Sequence, residues 1–178
     1  MGQIVLVTGG VRSGKSAFAE RYAAHCAETH GAKVAYIATA QVYDEEMRQR
    51  VDLHQARRPA DWATYEAPFE TENAIRAAGA EYGVILFDCI TMFLSNDMLQ
   101  YPEEEQERDS FALHVEERIH ALIQAAEDVD ATTIFVTNEV GAGIVPEYRL
   151  GRLYRDMAGL ANQQLARHAE KVYLVTCG

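Results

Sequence analysis

Apolar residues in this chain fall into two patterns. Short unbroken runs, Ile4-Val5-Leu6-Val7, Lys33 to Ala38, Val84-Ile85-Leu86-Phe87 and Thr133 to Thr137, read as strands buried on both faces. Between them lie longer stretches in which apolar positions recur every three or four residues. Phe111, Val115, Ile119, Leu122 and Ala126 form one such stripe within a helix expected over 109–128. Further helices are expected from Ala17 onward, over about 44–53, over 71–80 with Thr71 as its cap, after Cys89, and over 149–167. Trp62 to Glu66 and Lys171 to Thr176 read as additional strands. Strands alternating with helices predict an α/β fold with a mostly parallel sheet and helices on both faces. No repeat, low-complexity segment or linker interrupts the pattern, so one domain over 1–178 is expected.

The link between the first strand and first helix is Gly9-Gly10-Val11-Arg12-Ser13-Gly14-Lys15-Ser16, which fits G-x-x-x-x-G-K-[ST]. Its glycines allow a tight turn whose N–H groups face inward on an anion, and the following helix adds donors and a partial positive charge. Lys15 is expected on the β- and γ-phosphates, and the Ser16 hydroxyl on Mg²⁺. The chain is therefore expected to bind a nucleoside triphosphate.

Composition narrows the partners. The 178 residues include 16 basic and 27 acidic side chains, a net charge of -11 that disfavours nucleic acid and anionic membranes. No apolar run is long enough to span a bilayer, and no signal-peptide pattern opens the chain. Cys26, Cys89 and Cys177 are scattered and odd in number, which implies neither a disulfide framework nor a zinc site. A cytoplasmic location is expected. His25, His30, His114, His120 and His168 make no metal-ligand spacing.

Ligands of parallel α/β sheets collect at the carboxyl ends of strands. Asp88 ends one strand and suits an acid holding Mg²⁺ directly or through water; it also suits the cap of the next helix. Thr137-Asn138-Glu139 ends another, where the side chains either face a substrate or simply open a polar loop. Arg48, Arg50, Arg57 and Arg58 crowd around His54, an arrangement that fits an anionic ligand and equally a solvated helix face. Beside a triphosphate, His54 is a candidate general base, charge partner or nucleophile.

Five stretches occur in order: GGVRSGKS at Gly9 to Ser16, Tyr36-Ile37-Ala38-Thr39, His54 with Arg58-Pro59, Asp88-Cys89-Ile90-Thr91, and Val136-Thr137-Asn138-Glu139-Val140-Gly141 through Ile144-Val145-Pro146. Together they resemble the bifunctional adenosylcobinamide kinase / adenosylcobinamide-phosphate guanylyltransferase family of cobalamin biosynthesis. The resemblance implies a single RecA-like P-loop NTPase domain and two reactions. ATP or GTP first phosphorylates adenosylcobinamide; GTP then guanylylates a histidine, which maps onto His54, and the GMP passes on to give adenosylcobinamide-GDP. It further implies nucleotide contacts at Gly9 to Ser16, at Ala38, Thr39 and Ala40, at Gln55, Ala56, Arg57 and Arg58, and at Glu66 and Asp88. A trimer is also implied. A monofunctional P-loop kinase would lack the nucleophile, a GTPase switch would need an N-K-x-D that is absent, and a RecA-like ATPase on nucleic acid conflicts with the charge.

Overall fold

The computed structural model describes residues 2–41, 45, 48, 58–102 and 108–178. Along the chain run β1 (Gln3–Gly9), α1 (Lys15–His30), β2 (Val34–Ala38), β3 (Ala63–Glu66), α2 (Thr71–Gly79), β4 (Val84–Asp88), α3 (Ile90–Gln100), α4 (Arg108–Asp128), β5 (Thr132–Asn138), α5 (Arg149–His168) and β6 (Lys171–Leu174). The strands form one sheet of order β3-β2-β4-β5-β1-β6. Every pairing in it is parallel. Of the helix expected over 44–53, only Glu45 and Arg48 are described; both are helical and pair with each other at 3.6 Å on the surface. The rest of that expectation lies outside the described residues.

Alternating side chains on each strand feed two cores. Val5, Val7, Val34, Tyr36, Leu86, Ile134 and Val136 point to one face and meet Ala19, Ala23 and Cys26 of α1. The small alanines, spaced i, i+4, let α1 lie close to the sheet. Ile4, Leu6, Ile37, Ile85, Phe87 and Phe135 point the other way, against α2, α3, α4 and α5. Central strands are thus covered on both sides, which is why they read as continuous apolar runs. At the sheet's edges, β3 and β6 are half-exposed, and their patterns are correspondingly weaker.

The α4 stripe is buried as expected. Thr71, however, does not cap α2. Glu70 occupies the cap position in a left-handed conformation, and Thr71 is the first helical residue, fully buried with its hydroxyl on Glu72. Nor does Asp88 cap α3, because the cap residue is Cys89 and no side chain bonds there.

One charged cluster ties three helices together. Arg118 Nη1 of α4 lies 2.6 Å from Glu72 Oε1 of α2, and its Nε lies 3.2 Å from Asp97 Oδ1 of α3. His114 Nε2 meets the other Asp97 oxygen at 2.6 Å. Burial pushes the Glu72 carboxyl up, but its backbone N–H and Arg118 outweigh burial and hold it below the usual range. A depressed carboxyl contributes stability above its unfolded pKa, near 4.3, and loses it as pH falls through the folded value. Arg118→Met is therefore expected to cost about 2 kcal/mol of unfolding stability at pH 7. That deficit should shrink below about pH 4, where the unfolded carboxyl also protonates. Denaturant titrations across pH check this; a variant as stable as wild type at pH 7 contradicts it.

Candidate nucleotide site

The turn from β1 into α1 is built around two glycines that nothing else replaces. A Cβ on Gly9 would lie 2.2 Å from the Val175 carbonyl oxygen and 2.6 Å from Ser13 Oγ. Gly14 caps α1 at φ 91, and a Cβ there would meet Gly178 Cα at 2.7 Å. Arg12 is also left-handed, at φ 59. The turn is stitched from outside by Val175 N–H to Thr8 O and Gly178 N–H to Ser13 O, both 2.8 Å. Lys15 Nζ reaches back across the loop to donate to Gly10 O at 3.2 Å. The first-turn N–H groups of α1 have no intrahelical acceptor, so loop, lysine and helix end converge as donors for an anion.

Parallel pairing brings the other carboxyl ends to the same edge of the sheet. Ala38 is in register with both Glu66 and Asp88, and Gly9 with Asn138. Asp88 Oδ2 accepts the Tyr36 hydroxyl at 2.8 Å. The Arg58 guanidinium lies 3.3 Å from the centroid of the Tyr36 ring, a cation–π contact, and its Nη1 donates to Thr64 Oγ1 at 3.4 Å. Burial, and secondarily the Asp88 charge, push the Tyr36 phenol well above its usual range, while Arg58 opposes them. Tyr36 therefore stays protonated and donates. Next along the chain, Cys89 is buried and its thiol is pushed up to about 11, by burial first and then by Asp88, with Thr91 and Lys15 among the opposing influences. It is not a nucleophile at neutral pH.

A belt of neutral hydrogen bonds braces this edge. The Thr39 hydroxyl accepts from Cys89 N–H at 2.8 Å and donates to Cys89 O at 2.9 Å, across the cis Asp88–Cys89 peptide. Buried Asn96 donates to Thr39 O at 2.7 Å and to Pro68 O at 3.1 Å. Asn138 donates to Thr91 Oγ1 at 2.7 Å, and Tyr154 donates to Thr91 O at 2.8 Å. Glu139 N–H closes the belt on Gly9 O at 3.0 Å.

The expected site residues divide accordingly. Gly9 to Ser16, Ala38 to Ala40 and Asp88 gather at one edge. Thr39 is fully buried with its hydroxyl committed to Cys89, so it supports the edge from behind. Glu66 ends the outermost strand, and with Arg58, Pro59, Ala60, Trp62 and Thr64 lines a cavity of about 390 Å³. His54, Gln55, Ala56 and Arg57 lie outside the described residues, as does Arg50. Tyr36, Asn96, Thr91 and Tyr154 had no assigned role from sequence. A lone amide among the apolar positions of α3 was the available signal for Asn96.

Comparison with known proteins gives the family. Residues 5–178 match the family described as cobinamide kinase / cobinamide phosphate guanyltransferase. The bifunctional adenosylcobalamin biosynthesis protein CobU of Escherichia coli K12 is 40% identical, over 98% of this chain and 96% of its own length. CobU of Salmonella typhimurium LT2 is 41% identical over the same shares. CobP of Pseudomonas aeruginosa PAO1 is 39% identical, over 97% and 92%. Among solved structures, a KaiC-like protein of Pyrococcus horikoshii OT3 aligns with a TM-score of 0.48 at 19% identity, covering 88% of this chain and 68% of that one. With a family match over nearly its whole length and relatives at about two-fifths identity, this chain belongs to the cobinamide kinase / cobinamide phosphate guanyltransferase family.

Proposed function

We propose that one P-loop domain carries out both family reactions on adenosylcobinamide, using ATP or GTP for the first and GTP for the second. In the kinase step the aminopropanol hydroxyl oxygen bonds to the γ-phosphorus and the nucleoside diphosphate leaves. In the second, a ring nitrogen of His54 attacks the α-phosphorus of GTP and pyrophosphate leaves. A phosphate oxygen of the phosphorylated corrinoid then displaces His54 to give adenosylcobinamide-GDP.

The observation that carries this reading is the glycine cradle with Lys15 Nζ drawn across its mouth to Gly10 O. Lys15 and the loop N–H groups hold and neutralise the phosphates, and Ala38, Ala40, Gln55 to Arg58, Glu66 and Asp88 complete the nucleotide contacts, with Thr39 bracing them from behind. Ser16 and Asp88 offer hard oxygen donors of the kind Mg²⁺ takes beside substrate phosphates, with one Asp88 oxygen outside its bond to Tyr36. Those two residues would hold the ion, which supplies charge neutralisation on the phosphates. Support for His54 comes from its tether. Four residues on from it, Arg58 stacks on the Tyr36 ring that bonds Asp88, and four residues of chain span at most about 14 Å. None of the helices, among the described residues, is long and apolar enough to cross a membrane. A cytoplasmic location and a homotrimer are part of the proposal.

Two variants separate the half-reactions. Lys15→Ala is expected to depress both by about 100-fold or more, through lost phosphate stabilisation. His54→Ala should spare phosphorylation of adenosylcobinamide but abolish transfer of radioactivity from α-labelled GTP onto the protein. The wild-type label should be acid-labile and base-stable. Equal loss of both activities in the His54 variant, or an active wild type that never takes up label, would rule out the covalent carrier.

A further inference from the structure

The kinase step leaves one requirement unmet, a group to take the proton of the acceptor hydroxyl. Three carboxylates stand at or just past strand ends on the nucleotide edge, Glu66, Asp88 and Glu139. Adjacent strands lie about 4.8 Å apart. In the order β3-β2-β4-β5-β1-β6, Glu66 ends a strand four places from the phosphate-loop strand β1, and Asp88 one that is two places away. Glu139 follows directly on β5, the immediate neighbour of β1, and its own N–H is bonded to Gly9 O at the loop's mouth. We infer that Glu139 is the general base of the kinase half-reaction.

Its surroundings suit that task. Glu139 Oε1 accepts the Gly141 N–H at 2.6 Å and Oε2 accepts the Ala142 N–H at 3.1 Å. Arg155 holds the Gly141 carbonyl, and Arg152 Nη1 holds the Pro146 and Glu147 carbonyls at 3.2 and 2.6 Å, so the loop after Glu139 is pinned to α5. The Gly141 backbone lies close under the carboxylate, where a Cβ would sit 2.9 Å from Oε1. An ionised carboxylate offers about four lone-pair sites, and two backbone donors leave room for an alcohol O–H. Glu139 is exposed, so a captured proton passes on to solvent. Asp88, by contrast, is the acid proposed to hold Mg²⁺, and its other oxygen accepts the buried Tyr36 hydroxyl.

The step balances without a further reagent. The acceptor O–H proton moves to Glu139 as the new O–P bond forms at the γ-phosphorus. The bond from that phosphorus to the β–γ bridging oxygen breaks, and its electron pair leaves on the nucleoside diphosphate. The inference rests on the kinase activity of the family and not on His54, so labelling of His54 reads out a separate matter.

Single-turnover phosphorylation of adenosylcobinamide tests it, alongside the affinity of each variant for a non-hydrolysable ATP analogue. Glu139→Gln, which keeps an acceptor for the loop but cannot take a proton, is expected to slow phosphoryl transfer by about 100-fold or more, in the range found for general bases. Its nucleotide affinity should stay within about threefold of wild type if only proton transfer is lost. Glu139→Ala should regain at least tenfold of its rate with added formate, a small carboxylate, and none with chloride. A Glu139→Gln variant retaining more than a tenth of the wild-type rate overturns the inference. So does a loss of affinity that matches the loss of rate, or an alanine variant that formate does not restore; either would leave Glu139 as a loop anchor only.

Discussion

A sheet whose strands all run the same way delivers every strand's carboxyl end to one edge, and that constraint organises this protein. Helices cover both faces, so the edge is where polar backbone and side chains can converge on a ligand. The phosphate loop, the Thr39 turn, Asp88 and Glu139 come from four strands spread along the chain, and only parallel pairing gathers them. α1 serves the same end. Its alanines bring it near the sheet, so that its first turn, capped by left-handed Gly14, sits at the mouth of the loop.

The edge is held largely by uncharged hydrogen bonds, and in the proposed site its charged groups serve the ligand. Thr39 takes both main-chain groups of Cys89, Asn96 takes Thr39 and Pro68, and Asn138 takes Thr91. In the proposed site, Lys15 and Arg58 act on phosphates and Asp88 on Mg²⁺. Tyr36 joins the two sets, with its ring under Arg58 and its hydroxyl on Asp88. Such an arrangement sets charged groups at fixed separations before the substrate arrives, and transition-state stabilisation depends on that preorganisation.

Much of this was legible in the sequence, for definite reasons. β1, β2, β4 and β5 are buried on both faces, so their residues are apolar without a break. The phosphate loop announces itself because its geometry tolerates few residues at Gly9 and Gly14. Thr71 misled, since a threonine before a helical stretch resembles a cap whether or not the preceding residue has taken that position. Thr39 was legible as important, but its side chain faces inward because Cys89 needs it there. The stacking of Arg58 on Tyr36 joins positions 22 residues apart, and Asn96 reaches back to Thr39 across 57; no local periodicity encodes either.

The division between neutral brace and charged face carries a consequence for ionic strength. A body of net charge -11 repels a triphosphate at long range, and attraction is confined to the loop's donors and a few cations. Dissolved salt screens beyond about 8 Å at physiological concentration. It therefore mutes the distant repulsion more than the close contacts within the cradle. The belt behind the cradle carries no net charge for salt to screen, so the shape presented to nucleotide stays constant while the approach to it becomes easier.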